Sequence, residues 1–155
     1  MRYAFSMCIV AVLTFIIGCQ HPVDDAAEKS AIKAVLESYV TSVENEDMDL
    51  YSKIVAHDAA MINFGTDGPP IVGWEALKKV MLDQNAALSQ TKITVSEVSI
   101  VIPLSGKVAW ATSLWNFKAM VGEKAIELPV RCTWILEKRV DSWIIVLFHK
   151  SVATS

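Results

Sequence analysis

The sequence predicts an α+β fold in which helices pack on one face of an antiparallel sheet. Apolar residues recur at helical spacing in the first half of the chain, and long strand patterns with short turns between them follow in the second half. At 155 residues, 53% of them hydrophobic, the chain suits one domain plus a small additional segment. Helices first and strands second favour segregated layers rather than alternating βαβ units.

Two helices are predicted at the start of the domain. The first covers residues 24–44, where one apolar stripe is formed by Ile32, Val35, Leu36, Tyr39, Val40 and Val43. The second lies in "DMDLYSKIVAH", with Asp47 or Asp49 as its N-cap. Its inward-facing residues are expected to be Leu50, Tyr51, Ile54 and Val55.

A short strand, a loop, a third helix and four long strands complete the prediction. "AAMINF" is typical of a strand, and "GTDGPPIVG" is typical of a loop because glycine and proline punctuate it. The third helix is expected over residues 74–88, with Trp74, Leu77, Val80 and Met81 buried. The four strands are predicted at residues 92–102, 107–119, 125–138 and 142–150.

The first nineteen residues have the pattern of a targeting segment. One arginine precedes an apolar run that is shorter than the roughly 20 residues needed to cross a bilayer. "IIGC" resembles the lipobox of bacterial lipoproteins, which implies a signal peptide at 1–18, a lipidated Cys19, a tether at 19–24 and a domain at 25–155. We therefore expect a lipid-anchored protein of the cell envelope, facing the periplasm or the exterior. An ordinary secretory peptide or an uncleaved anchor is the alternative.

Charge and motif content exclude several function classes. The net charge is -3 and the basic residues are scattered, so nucleic acid is not an expected partner. Three dispersed histidines have no metal-ligand spacing, and the chain lacks a glycine-rich phosphate loop and a serine elbow. We expect no metal and no cofactor. If Cys8 is removed and Cys19 is acylated, Cys132 is the remaining thiol, and we expect it to be buried.

Several stretches together resemble the SnoaL-like branch of the NTF2-like superfamily, in a lipoprotein form. They are "YVTSVENEDMDLYSKIVAHDAAMINFGTDG", "IVGWEAL", "VAWAT" and "FHKS", and their order extends the resemblance over nearly the whole mature chain. It implies a cone: a strongly curved, mainly antiparallel sheet wraps around three N-terminal helices and leaves a pocket at the open end. It also implies a homodimer through the outer face of the sheet, and one related group consists of oligomerisation domains.

The superfamily includes isomerases, cyclases, dehydratases, hydrolases and non-catalytic binding domains, so its fold does not decide function. Its ketosteroid-isomerase relatives use a tyrosine on the first helix, a carboxylate base on the first strand and a protonated acid on a later strand. The matching positions here are Tyr39, Asn63 and Thr133. An amide cannot act as a base at neutral pH, and a hydroxyl is a poorer donor than a neutral carboxylic acid. Both replacements argue against steroid-isomerase chemistry.

The last predicted hairpin suggests a second set of site residues. A three-residue turn at 139–141 would place Arg131 opposite His149, on a face that also carries Thr133 and is polar at the end away from the turn. If this face lines the pocket, Arg131 and His149 could bind an anion or a polarised carbonyl. The alternative is an internal network in which Glu37, Asp67 or Glu97 neutralises Arg131.

The sequence therefore predicts an apolar pocket that binds a small apolar or weakly acidic molecule, or a domain that serves in assembly. Asp67 could reach the pocket mouth, or it could stabilise its own turn. Trp110 and Trp115 have opposite parity on one strand, so only one of them can face the cavity. The predicted ligand contacts are Tyr39, Asn63, Trp110, Arg131, Thr133 and His149. The alternative is an isomerase, dehydratase or hydrolase whose catalytic candidates are His149, Arg131, Tyr39 and Asp67.

Overall fold

The computed structural model describes residues 25–152. The three helices are α1 (Asp25–Glu44), α2 (Met48–Ile54) and α3 (Trp74–Ala87). The six strands are β1 (Ile62–Phe64), β2 (Ile71–Val72), β3 (Ser89–Val101), β4 (Val108–Val121), β5 (Lys124–Arg139) and β6 (Ser142–Val152). The predicted signal peptide, Cys19 and the tether lie outside the described residues, and within residues 25–152 no helix has the length and apolarity to cross a membrane.

One curved, open sheet carries all six strands in the order β2-β1-β6-β5-β4-β3. Its pairs are antiparallel except for β1 and β6, which run parallel. The helices pack on one face, where the core residues of β4, β5 and β6 alternate with exposed or half-exposed ones. This confirms the predicted α+β architecture.

Both ends of α1 are bonded to the sheet. Near its start, the Glu28 carboxylate accepts a hydrogen bond from Trp143 Nε1 at 2.7 Å and pairs with Lys138. At its end, Glu44 Oε1 accepts the Ile93 backbone N–H at 2.7 Å. These contacts fix α1 across the sheet, and the hydrogen bonds from Lys138 and Trp143 hold the pKa of Glu28 below its ordinary value.

Most of the predicted elements are confirmed, with two differences. Asp47 caps α2 by accepting the Leu50 backbone N–H at 2.8 Å, as one of the two predicted alternatives required. Val80, expected in the core, is exposed on α3. The predicted loop after β1 ends in the two-residue strand β2, which pairs with β1. The strand β2 follows from its tertiary pairing with β1, which local propensity does not contain.

The predicted register of the last hairpin is wrong. The turn has two residues, Val140 and Asp141, because Arg139 pairs directly with Ser142. Further along, Leu136 pairs with Ile145 but Ile135 pairs with Leu147, so β6 carries one extra residue as a bulge. Together the shorter turn and the bulge shift the register, so that Arg131 pairs with Ser151 and Thr133 pairs with His149.

The turn places strain on Val140, which has a positive φ of 56° and is 94% exposed. A β-branched residue is disfavoured there by about 1–2 kcal/mol, because its side chain crowds the backbone. Glycine relieves this strain but also increases the conformational entropy of the unfolded chain, which offsets part of the gain. We therefore expect Val140→Gly to raise the free energy of unfolding by about 0.5–1 kcal/mol. Urea unfolding measures the change. Val121→Gly is the control: Val121 has no positive φ, so it should lose stability, and equal losses at both positions would contradict the strain argument.

The assignment of sheet faces in the hairpin was also wrong. Val130, Cys132, Trp134 and Phe148, on the opposite face of the hairpin from Arg131, are buried against the helices. Arg131, Thr133 and His149, which were expected to line the pocket, lie on the outer face. A sheet covered on one side turns its more apolar face to the core. The outer face was mistaken for a pocket wall because it also carries the apolar residues Ile135 and Leu147.

Candidate functional site

A cavity of about 180 Å³ lies between the helices and the inner face of the sheet. Its walls are mainly aliphatic and aromatic side chains from α1, α3, β4, β5 and β6, so it occupies the open side of the core. The lining residues are Tyr39, Val43, Thr66, Met81, Gln84, Leu88, Trp115, Phe117, Ile126, Leu128, Val130 and Lys150. Lys150 is the one charged side chain among these described residues.

Lys150 projects from the inner face of β6, two residues beyond Phe148. Its ammonium lies 5.4 Å from the centroid of the Phe148 ring, and it makes no hydrogen bond or ion pair among residues 25–152. Desolvation lowers the pKa of Lys150, and the electrostatic influence of Asp67 partly opposes that shift. A lysine in these surroundings gains most from an anion placed beside it.

Two further hydrogen-bond donors belong to the cavity wall. Tyr39 Oη and Trp115 Nε1 are both buried and have no well-formed hydrogen bond to any described residue, although the Tyr39 hydroxyl faces that of Tyr51. Burial raises the pKa of Tyr39 well above its ordinary value, so its hydroxyl keeps its proton at neutral pH. The buried polar groups of the wall are therefore donors: an ammonium, a phenol and an indole.

Two of the predicted residues lie close to this cavity. Asn63 is buried on β1 beside Phe148, on the inner face, and its Oδ1 has no partner among the described residues. Asp67 is exposed in the loop after β1, where it accepts a hydrogen bond from Thr66 Oγ1 at 3.1 Å and influences Lys150 electrostatically. The predicted Tyr39 lines the cavity directly.

The other four predicted residues lie on the outer face of the sheet, and the expectation that they converge with Tyr39 was wrong. Thr133 and His149 are neighbours there in a shallow depression shared with Phe64 and Leu147. Arg131 donates to the Val152 carbonyl at 3.4 Å and pairs with no acid in the described region. Trp110 is 44% exposed, whereas Trp115 has the opposite parity and faces the cavity.

Lys150 was missed because the inner face was misassigned. Phe148 on β6 pairs with Trp134 and points inward. Because side chains alternate along a strand, the next inward residue of β6 is Lys150. A lysine at the end of an otherwise uniformly apolar face was the available signal. The prediction for Cys132 is confirmed: it is buried on the same face, and burial raises its pKa to about 12, which makes it an inert thiol.

Within residues 25–152 no group of three or more His, Cys, Asp or Glu residues could hold a metal ion. The site is thus a compact apolar cavity with three desolvated donors, Lys150, Tyr39 and Trp115, and with Thr66 and Gln84 as further polar residues of its wall. Residues 32–155 match the family model of the SnoaL-like domain, which covers most of the chain. The chain belongs to the SnoaL-like domain family. The predicted resemblance is therefore confirmed.

Several solved structures share this fold. An NTF2-like superfamily protein from Salmonella enterica has a TM-score of 0.76 at 18% identity, over 84% of this SnoaL-like chain and 94% of that one. A proposed dehydratase of the NTF2-like family from Streptomyces avermitilis has a TM-score of 0.75 at 13% identity, over 84% and 99%.

A ketosteroid isomerase-like protein from Erwinia carotovora has a TM-score of 0.69 at 18% identity, over 83% of this chain and 98% of that one. At these identities the similarity shows the shared fold of the SnoaL-like domain and leaves its ligand open. A comparison with curated protein sequences found no match.

Proposed function

We propose that this SnoaL-like domain binds a small apolar acid, with the carboxylate of the ligand against Lys150. The observation that carries the proposal is the set of three donors, Lys150, Tyr39 and Trp115, around one apolar cavity. A carboxylate accepts from all three types of donor and balances the charge of the ammonium. The apolar wall then accommodates the rest of the molecule.

The volume limits the size of the ligand. A cavity of about 180 Å³ is only slightly larger than one of about 150 Å³ that holds a benzene molecule. A single-ring or short branched acid therefore fits, and a molecule with several fused rings does not. A monocyclic acid such as benzoate is therefore the first probe.

Binding is favoured over the predicted enzymatic alternative by the positions of the candidate residues. His149 and Arg131 lie on the outer face, so they cannot act together with Tyr39 on one substrate. No carboxylate lines the cavity among the described residues, and Asn63 stands at the position that carries the base in the resembled isomerases. These placements remove the carboxylate base that an isomerase of that type needs.

Isothermal titration of the chain from residue 20 with benzoate tests the proposal, since that chain keeps every described element. We expect one site, and we expect benzylamine, which has the same ring but a positive charge, to bind at least tenfold more weakly. Equal affinity for the acid and the amine would contradict the proposed role of Lys150.

We also propose that the domain is held at the cell envelope through lipid on Cys19. "IIGC" and the preceding apolar run support this, and the short segment between Cys19 and α1 would keep the domain near the membrane surface. Cells fed a labelled fatty acid should label the full-length protein. Cys19→Ser should lose the label and move to the soluble fraction, and a Cys19→Ser protein that keeps its label would contradict lipidation there.

We propose in addition that the domain forms a homodimer through the outer face of the sheet. Large apolar side chains are exposed there on β4 and β1, among them Trp110, Leu114 and Phe64. Light scattering should give twice the mass of the chain, and Trp110→Lys should shift it to one chain without loss of helix. Lys78→Met, on an exposed position of α3, is the control. A monomeric parent protein would contradict the proposal.

A further inference from the structure

A second and larger cavity lies on the other flank of α1. It has a volume of about 720 Å³ and opens between α1 and the middle of β3, with β4 and β5 as its floor. We call it the α1–β3 groove. Its lining residues are Lys33, Leu36, Glu37, Val40, Thr41, Val95, Ser96, Glu97, Val98, Ser113 and Trp134. None of them lines the cavity of Lys150.

The floor of the groove contains two buried polar groups without partners. Ser113 is 4% exposed and Trp134 is 1% exposed. Ser113 Oγ and Trp134 Nε1 make no hydrogen bond to any described residue. An unpaired buried polar group is unfavourable by about 1–3 kcal/mol, so two of them beneath one cavity indicate that a bound molecule completes their hydrogen bonding. Both can donate, and the indole can only donate, so that molecule carries an acceptor.

The rim of the groove is shaped by an irregularity in β3. The pairing of β3 with β4 shifts between Ser96 and Ser99, and Glu97 within this bulge has a positive φ of 52°. Bulges re-aim side chains and occur next to binding sites, and a non-glycine residue in this conformation stores strain. The bulge interrupts β3 where the strand borders the groove.

The charges at the rim argue for a ligand that is not an acid. Glu37 and Glu97 both contribute to the lining. Lys33 forms an ion pair with Glu37 at 3.6 Å, so the charge of Glu97 is not balanced by a lysine or arginine of the groove lining. A negative rim disfavours anions, in contrast to the ammonium in the first cavity. The apolar side chains Leu36, Val40 and Val98 cover the remaining wall.

Aromatic rings separate the two cavities. Trp134 belongs to the groove and Trp115 to the first cavity, and their ring centroids are 5.6 Å apart. Phe148 packs against both tryptophans, and Tyr39 packs against Trp115 and Phe148. The partition makes the two sites chemically distinct: one is small and cationic, and the other is large with neutral donors below an acidic rim.

We propose that the α1–β3 groove is a second binding site, for an uncharged apolar molecule of two or more rings that carries a carbonyl oxygen. The carbonyl accepts hydrogen bonds from Trp134 Nε1 and from the Ser113 hydroxyl, which can rotate to reach it. The inference is independent of the proposed acid site, because no residue is shared.

The test uses Prodan, a naphthalene ketone with no net charge, whose emission reports both binding and hydrogen bonding to its ketone. Its two fused rings exceed the first cavity by the size argument above and fit the groove. We expect Ser113→Ala to bind Prodan about threefold to tenfold more weakly, because one hydrogen bond is lost. Thr41→Trp, which fills the groove from α1, should weaken binding more than tenfold. Ser99→Ala, a serine outside the groove lining, is the matched control and should bind as the parent does.

Absence of Prodan binding to the parent protein overturns the proposal. So does equal binding by the parent, the Ser113→Ala protein and the Thr41→Trp protein when circular dichroism shows that all three are folded. If Ser113→Ala fails to fold, Thr41→Trp decides, because Thr41 is exposed on α1. A benzoate titration of the parent protein separates the two sites: a parent that binds benzoate but not Prodan refutes the groove alone, and a parent that binds Prodan but not benzoate refutes the acid site alone.

Discussion

Replacing Lys150 by methionine is expected to raise the free energy of unfolding by about 1–3 kcal/mol near neutral pH. The ammonium of Lys150 lies in an apolar cavity with no ion pair among the described residues, so folding desolvates it, and the Phe148 ring and the charge of Asp67 compensate only in part. Methionine has a similar length and no charge. The same change should abolish measurable benzoate binding, so stability and binding change in opposite directions.

The pH dependence of that gain follows from the lowered pKa of Lys150. Between the lowered folded-state pKa and the ordinary value near 10.4, the unfolded chain binds more protons than the folded one. The parent protein therefore gains stability as the pH rises through that window, and the advantage of Lys150→Met shrinks. Urea unfolding at several pH values from neutral to alkaline measures the difference. Lys78→Met, at an exposed position, should change stability by less than about 0.5 kcal/mol, and an equal gain there would refute the cavity argument.

Phe148→Ala should have the largest effect on stability, a loss of about 3–5 kcal/mol. The Phe148 ring is almost fully buried, stacks on Trp134 at a centroid distance of 4.9 Å and meets Tyr39 edge-on at 4.9 Å. Its removal takes away the centre of the aromatic partition between the two cavities. Total stabilities of small domains are about 5–15 kcal/mol, so this single change would leave a marginal protein.

Phe117→Ala is the control for that prediction, because Phe117 borders the first cavity and is already partly exposed. It should lose about 1.5 kcal/mol or less. Thermal unfolding of both variants at one pH measures the difference. If Phe148→Ala lowers the free energy of unfolding by less than about 1 kcal/mol, the aromatic rings between the two cavities do not stabilise the core.

The order and type of the large elements could be predicted because each had a strong periodic signal. The stripe from Ile32 to Val43 is one face of a helix, and the long strands were delimited by turns. The inward positions of Ile32, Leu36, Tyr39 and Val43 followed from spacing alone. The short strand β2 had no such signal, because its two residues are fixed by pairing with β1 and not by their own pattern.

The site could be predicted only in part. Helical spacing, which tolerates small errors, predicted that Tyr39 points inward, and the resemblance to the ketosteroid isomerases predicted that it belongs to the site. Lys150 was not predicted, because the face of a strand residue depends on parity. Choosing the wrong face led to the prediction of Arg131 and His149 as site residues in its place. The register was wrong for two reasons: the turn is one residue shorter than predicted, and β6 contains a bulge for which the sequence gives no local signal. The rim of the α1–β3 groove is shaped by a bulge in β3, and the sequence gives no local signal for that bulge either.

The measurement that tests the central claim most directly is a titration of Lys150 by nuclear magnetic resonance, with its side chain labelled and with benzoate absent or saturating. We predict a pKa below the ordinary value in the free protein, because the cavity desolvates the ammonium, and a clear rise when benzoate is bound, because a carboxylate then pairs with it. An ordinary pKa that benzoate does not move would contradict the account: Lys150 would then be solvated and the cavity would not be an acid-binding site.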